Sequence, residues 1–147
     1  MNITTFSDYT LLVLIYLATT PEEKSTAAQI AKAFDISFHH VAKAAQWLTR
    51  HGYVESERGR SGGLSLSQFP KDINIGEILF ATESKAGSPL VDCMKDDGGD
   101  CCIRPNCGLR FALAEAQDAF YRTMTKYTLA DIAPKNSALG ALLLTKA

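Results

Sequence analysis

Four cysteines lie close together in the second half of the chain, and they are the residues best suited to chemistry. They fall within 15 residues, among glycines and aspartates: Cys93, Cys101, Cys102 and Cys107. Clustered thiolates in a reducing compartment are typical ligands of zinc or of an iron–sulfur cluster. Inert cysteines prefer apolar surroundings, which this segment lacks. The thiols therefore predict a metal or iron–sulfur site, with inert cysteines and a thiol redox switch as the alternatives.

The spacing of the cysteines helps to choose between the two kinds of metal site. Structural zinc sites usually contain C-x-x-C pairs, and the chain has none. Cys101 and Cys102 are adjacent, which makes it difficult for both to bind one ion. The simplest interpretation is three ligands, namely Cys93, one of the adjacent pair and Cys107. Three thiolates would leave one iron for a different ligand, so the spacing favours an iron–sulfur cluster over zinc.

Helical patterns on both sides must position these cysteines. Apolar periodicity and capping residues predict helices over the first 20 residues, 27–34, 37–50, about 75–82 and about 106–127, with a last turn at 129–132. Ser7 is the expected cap of the first helix. The segment 83–105 lacks such a pattern, and so long an irregular stretch is usually functional. We expect it to be the cysteine loop, and the apolar tail 135–147 to be mobile.

A hairpin with a basic, glycine-rich tip follows the third helix. Residues 53–57 and 64–67 alternate in the manner of strands, and residues 58–63 join them. Three short helices followed by a hairpin is the order of a winged helix-turn-helix, in which the third helix enters the major groove of DNA. The expected fold class is mainly α with a small β-hairpin: a winged helix-turn-helix followed by a long C-terminal dimerisation helix.

Four segments result from this division of the chain. They are a DNA-binding domain at 1–82, the cysteine loop at 83–105, the dimerisation helix with its last turn at 106–134, and the tail at 135–147.

Positive charge is concentrated in the helix-turn-helix and the hairpin. The net charge of the chain is −1, but residues 32–71 contain six basic and three acidic residues. Such a bias can bind phosphate or simply be a solvated surface. The solvent face of the third helix also offers Phe38 and Gln46. The candidate DNA contacts are Ser37, His39, His40, Lys43, Arg58, Arg60 and Ser61. Ser37 and the helix start can hold a phosphate, and the two arginines can enter a narrow minor groove.

Together these features resemble the Rrf2 family of winged-helix regulators. The resemblance rests on Asp8-Tyr9 in the first helix, the wing at 58–63, a three-cysteine loop and a long helix, and it extends to about Ile132. Within the family, the segments 7–9, 14–18, 101–107 and 127–131 are most similar to the repressors that sense nitric oxide. The resemblance implies a homodimeric, iron–sulfur-dependent transcriptional repressor that binds double-stranded operator DNA and is not an enzyme.

The resemblance also implies a ligand set for the cluster. Cys93, Cys101 and Cys107 would bind it, and Asp8 of the partner subunit would supply the fourth ligand. Each subunit would hold one cluster, with 4Fe–4S favoured over 2Fe–2S. The gap from Cys101 to Cys107 matches the family, whereas the seven residues after Cys93 are more than expected. Nitrosylation of the cluster would release the operator. Taken without the resemblance, Asp8 is a charged residue that a helix N-terminus favours.

Other functions remain compatible with the sequence. The chain could be an iron- or redox-responsive regulator of the same family, or a zinc-stabilised DNA-binding module. An enzyme is disfavoured because no substrate motif is present and no histidine lies near the cysteines in sequence. The apolar run at 11–18 is short and follows an acidic residue, unlike a signal peptide, and no stretch is long enough to span a membrane. We expect a cytoplasmic protein that does not bind membranes.

Overall fold

The order of the elements is that of a winged helix-turn-helix followed by a long helix. A computed structural model describes residues 2–20, 24–57, 59, 62–86, 90–94, 101–134 and 138–144. The helices are α1 (Thr5–Thr19), α2 (Ala27–Phe34), α3 (Phe38–Arg50), α4 (Ile75–Ala86), α5 (Gly108–Met124), α6 (Leu129–Ile132) and α7 (Ala138–Leu144). The strands are β1 (Val54–Glu57) and β2 (Gly63–Leu66), which pair antiparallel. The expected fold class, mainly α with a hairpin, is confirmed.

Helix α1 begins two residues earlier than its expected cap. Thr4 caps the helix, because its hydroxyl accepts a hydrogen bond from the backbone N–H of Ser7 at 3.2 Å. The prediction that Ser7 is the cap was wrong. The Ser7 side chain is buried, and its hydroxyl proton is shared between Thr82 and Glu83 of α4, which are distant in sequence.

Helices α2 and α3 form the helix-turn-helix. Thr26 and Gln29 form a capping box at the start of α2, which ends at Asp35 in the left-handed conformation (φ 53°). Helix α3 packs on both α1 and α2. After α3 the chain turns at Gly52, whose φ of 75° suits glycine. The most deeply buried side chains of the core are Val13, Leu14, Ile30, Val41, Ala44, Leu48, Ile73, Ile78 and Leu129.

The hairpin is fixed to the start of α2 by a third short stretch of backbone. Ser25 pairs with Leu64 of β2, with N···O distances of 3.0 and 2.8 Å. A Cβ atom at Gly63 would lie 2.9 Å from Cβ of Lys24, so the close approach requires glycine. Lys24 also forms an ion pair with Glu57 of β1 at 2.5 Å. The wing is thereby held against the helix-turn-helix.

After the wing, helices α4, α6 and α7 pack on α1, and α5 packs on α4. The backbone at Gly76 passes so near Thr125 that a Cβ atom would lie 2.5 Å from the Thr125 nitrogen. Asn74 and Thr128 form a further bridge beside this crossing. Contrary to the expectation of a mobile tail, residues 138–144 form a helix that packs on α1 and α2 and buries Leu143.

Candidate nucleic-acid interface and cysteine loop

An open cleft of about 690 Å³ lies between α2, α3 and the wing. Helix α3 supplies one wall through side chains at successive turns: Phe38, Ala42, Ala45, Gln46, Thr49 and Arg50. Residues of β1 and β2 supply the opposite wall. In a winged helix-turn-helix the helix in this position is the one that enters the major groove, with its N-terminal residues at the base edges. Helix α3 is therefore placed as the recognition helix.

The predicted DNA contacts on α3 lie on its exposed side. Ser37, His39, His40 and Lys43 are all exposed. The His40 ring lies 5.5 Å from that of Tyr9, and the Lys43 ammonium lies 5.7 Å from another α1 ring, that of Phe6. His40 and Lys43 are thus on the side of α3 nearest to α1, away from the wing.

Two sides of α3 are therefore available to a ligand. The wing-facing residues Ala42 and Thr49 were not singled out from the sequence. Ala42 is one turn after Phe38, and this i, i+4 spacing could have revealed it. The candidates on the tip of the wing, Arg58, Arg60 and Ser61, lie outside the described residues.

Aromatic stacking fixes the orientation of α3. The Trp47 ring lies 4.0 Å from that of His51 and 6.2 Å from that of Tyr53, and it meets Phe6 of α1 edge-on. Burial raises the pKa of Tyr53, and the nearby charge of Glu77 raises it further. These contacts join α1, α3 and the start of the wing, so a displacement of α1 must disturb the recognition helix.

A buried carboxylate joins the N-terminus of α1 to the end of α4. Glu83 is only 6% exposed. It accepts hydrogen bonds from the backbone N–H of Thr4 (2.7 Å), from the Thr4 hydroxyl (3.0 Å) and from the Ser7 hydroxyl. Its negative charge also raises the pKa of Tyr121 on α5, after the larger effect of burial. The helix that leads into the cysteine loop is therefore fastened to the residues next to Asp8.

Asp8 itself lies in the first turn of α1 with its side chain exposed. Because the carboxylate points to solvent within this chain, it is available to a second molecule. A carboxylate in the first turn is also stabilised by the helix dipole, so position alone fits both interpretations of Asp8.

All four cysteines carry free thiols. Cys93 lies in a short turn of 3-10 helix and is half-buried, and Cys107 is half-buried as the residue that precedes α5. Cys101 and Cys102 are exposed. Helix α5 starts at Gly108 and not at 106, so Cys107 belongs to the loop.

The donor set suits an iron–sulfur cluster, since it consists of free thiols in a loop with no competing disulfide between the described cysteines. Among the residues that the structure describes, no three His, Cys, Asp or Glu side chains are close enough to hold one metal ion. The segment 95–100, which joins Cys93 to Cys101, lies outside those residues. The cysteines thus lie in one loop, but the described side chains do not converge on a common metal position.

Helix α5 presents large apolar side chains to solvent. It has 17 residues, about 25 Å of helix, and within the described chain none of its residues is fully buried. Leu109 and Phe111, near the N-terminal end of α5, are 66% and 62% exposed. Phe80 of α4 is 59% exposed, and its ring meets that of Tyr121 near the C-terminal end of α5. Exposed apolar surface of this kind is typical of an interaction site.

Three helices, a paired wing and an exposed recognition helix define a winged helix-turn-helix protein. The family model described as "Rrf2: Iron-dependent Transcriptional regulator" matches residues 3–135. The chain therefore belongs to the Rrf2 family of transcriptional regulators, which confirms the resemblance found in the sequence.

Individual relatives agree with this assignment. The HTH-type transcriptional regulator NsrR of Geobacillus kaustophilus is 42% identical over 144 residues, which cover 97% of each chain. The regulator of the same name from Bacillus subtilis is 41% identical over 147 residues, covering 99% of each. The solved structure of CymR (YrzC), the global cysteine regulator of B. subtilis, matches with a TM-score of 0.60 at 27% identity, covering 90% of this chain and 96% of that one. In the described part of the chain, no helix is both long and apolar enough to cross a membrane.

Proposed function

We propose that this regulator is a cytoplasmic, homodimeric repressor whose affinity for operator DNA is set by an iron–sulfur cluster that responds to nitric oxide. The observation that carries the proposal is the Glu83 hydrogen-bond network. It fastens the helix that leads into the cysteine loop to the start of α1, and α1 in turn packs on the recognition helix. A change in the loop therefore has a short, packed route to the DNA-binding surface.

The DNA-binding part of the proposal rests on the exposure and charge of α3. His39 stands at the start of the helix, where base edges are read. Lys43, one turn later, and Arg50, at the other end of the helix, add positive charge. Ser37 precedes the helix and would hold a phosphate together with the first backbone amides. On the wing, Arg58, Arg60 and Ser61 would contact the adjacent backbone or minor groove, as proposed from the sequence.

Cys93, Cys101 and Cys107 would hold the cluster, and the partner subunit's Asp8 would complete its ligands. When bound, such a cluster supplies iron that can react with nitric oxide. The chain itself provides thiolates at the start of α5 and an exposed carboxylate on α1. Since oxygen is a harder and more exchangeable ligand than sulfur, the link through Asp8 would be the weaker one.

Dimerisation would place these groups together. The exposed apolar residues of α5 would pack against the same residues of a second copy, as expected of an isologous interface. Two winged domains would then face successive major grooves of a pseudo-palindromic operator.

Anaerobic purification tests the cofactor. We expect a brown protein with iron and sulfide in the amounts of one cluster per subunit, as measured by absorption spectroscopy and by iron and sulfide assays. Binding to operator DNA, followed by fluorescence anisotropy, should be lost on addition of nitric oxide.

Other results would point to the alternatives. A colourless, zinc-containing protein would favour a zinc-stabilised DNA-binding module. A brown protein that releases DNA on iron depletion or oxidation, but not with nitric oxide, would favour an iron- or redox-responsive regulator.

A further inference from the structure

Phe38 is an apolar residue in an unusual position. It is the first residue of α3, and 58% of its surface is exposed. His40 and Trp47, on another side of α3, make ring contacts with α1, whereas Phe38 lines the cleft between α2, α3 and the wing. Ala42 lines the same cleft one turn later. A phenyl ring and a methyl group thus stand side by side at the N-terminal end of the recognition helix.

The surroundings of this pair favour DNA over a protein as the ligand. Arg50 lines the same cleft, and Lys43 lies on the adjacent side of α3. Glu57, an acidic residue of the cleft wall, is paired with Lys24. Lys43 and Arg50 are both exposed, so two positive charges of the recognition helix are available to phosphates.

Thymine is the base that presents an apolar group, its C5-methyl, beside the O4 acceptor in the major groove. Its C5-methyl group is absent from cytosine, and phenylalanine and alanine side chains make apolar contacts with it. The first turn of a recognition helix is the part that reaches base edges. We propose that Phe38, with Ala42 beside it, reads the C5-methyl group of one thymine in each operator half-site. This inference rests on the proposed DNA-binding function and adds a base that the chain selects.

Deoxyuridine provides a direct test, because it differs from thymidine only by the methyl group. Duplexes are first selected from a random pool by the anaerobically purified, full-length protein. Each thymine of a selected duplex is then replaced by deoxyuridine, and the affinity is measured by fluorescence anisotropy at fixed salt. For the wild type we expect a loss of about three- to fivefold at one symmetry-related position in each half-site, as burial of one methyl group predicts.

The Phe38→Ala variant should bind the thymine and deoxyuridine duplexes equally, and Phe38→Leu should keep part of the discrimination. Phe69→Ala removes another exposed aromatic residue, 73% exposed and outside the cleft, and should discriminate like the wild type. Thermal unfolding followed by circular dichroism verifies that each variant is folded.

Several results would overturn the proposal. They are an absence of any deoxyuridine-sensitive position in the wild type, an undiminished discrimination in Phe38→Ala, or a change in the oligomeric state of Phe38→Ala without a change in DNA binding. If these occur while the wild type still selects a sequence, only the reading by Phe38 fails. If the wild type selects no sequence, the proposed DNA-binding function fails with it.

Discussion

At the residue scale, Cys107 differs from Cys102 in its surroundings. Cys107 is half-buried at the start of α5, whereas Cys102 is exposed beside another exposed cysteine. We predict that Cys107→Ala abolishes the brown colour and the iron content of the anaerobic protein, and that Cys102→Ala leaves both unchanged. Absorption spectra and iron assays measure the effect. Loss of the cluster in Cys102→Ala, with retention in Cys101→Ala, would show that Cys102 is the ligand of the adjacent pair.

Glu83 is the residue whose removal should affect stability most directly. Glu83→Ala leaves the donors of Thr4 and Ser7 without their buried acceptor, which should cost about 1–3 kcal/mol in the free energy of unfolding. Glu83→Gln retains one acceptor oxygen and should lose less. Urea unfolding measures both. Glu77→Ala, an exposed residue of the same helix, is the control and should change stability by no more than about 0.5 kcal/mol. Equal losses in Glu83→Ala and Glu77→Ala would contradict the role of the network.

At the scale of elements, the attachment of the wing depends on one glycine. A methyl group at Gly63 would press on Lys24 and on the backbone of Ser25, so Gly63→Ala should shift β2. We predict a loss of about 1–3 kcal/mol in stability, as overpacking typically costs, together with weaker operator binding. Gly108→Ala is the matched control, because its Cβ would meet no atom within 4 Å. Thermal unfolding and anisotropy measure the two effects, and unchanged values for Gly63→Ala would mean that the wing moves freely.

Elements bounded by local signals could be predicted from the sequence, and those bounded by distant contacts could not. Helix α2 begins after the capping box of Thr26, and α6 after that of Thr128, so both were predicted with their correct bounds. Helix α4 was expected to end near 82, but it continues to Ala86, and Glu83 in this additional turn accepts hydrogen bonds from Thr4 and Ser7, which are distant in sequence. The cap of α1 was misassigned to Ser7 because of the same network.

The same distinction between local signals and distant contacts applies to the candidate site. The kinds of residue in it could be inferred locally, since the thiols cluster in sequence and Ser37, His39, His40 and Lys43 follow the pattern of an exposed helix face. Which of them meet a common ligand depends on residues distant in sequence or on a second subunit. The assignment of Asp8 as a ligand therefore came from the family resemblance alone.

At the scale of the whole molecule, the exposed face of α5 should hold two copies together. We predict that Phe111→Glu converts the dimer to a monomer at micromolar concentration, because a charge would be buried in an apolar interface. Sedimentation or size-exclusion with light scattering measures the mass. Phe69→Glu, which changes a phenylalanine that is even more exposed (73%) and lies outside α4 and α5, should remain dimeric. A dimeric Phe111→Glu would place the interface elsewhere.

The coupling between subunits can be tested at Asp8. If the partner subunit's Asp8 completes the ligands of the cluster, Asp8→Ala should leave the three thiolate bonds and the brown colour in place. It should change the absorption spectrum, because an external ligand would take the vacant position. It should also make the affinity for operator DNA insensitive to nitric oxide, because the bond between α1 of one subunit and the loop of the other is lost.

The helix-dipole interpretation of Asp8 predicts something different. In that case Asp8→Ala loses about 0.3–1 kcal/mol of stability and nothing else. Glu77→Ala, which removes an exposed acidic residue from the first turn of α4, is the control for DNA binding. Operator affinity of both variants, measured by anisotropy with and without nitric oxide, distinguishes the two. An Asp8→Ala protein that keeps the wild-type spectrum and releases DNA at the wild-type dose of nitric oxide would exclude Asp8 as a ligand. The signal would then reach α3 within one subunit, through Glu83 and the start of α1.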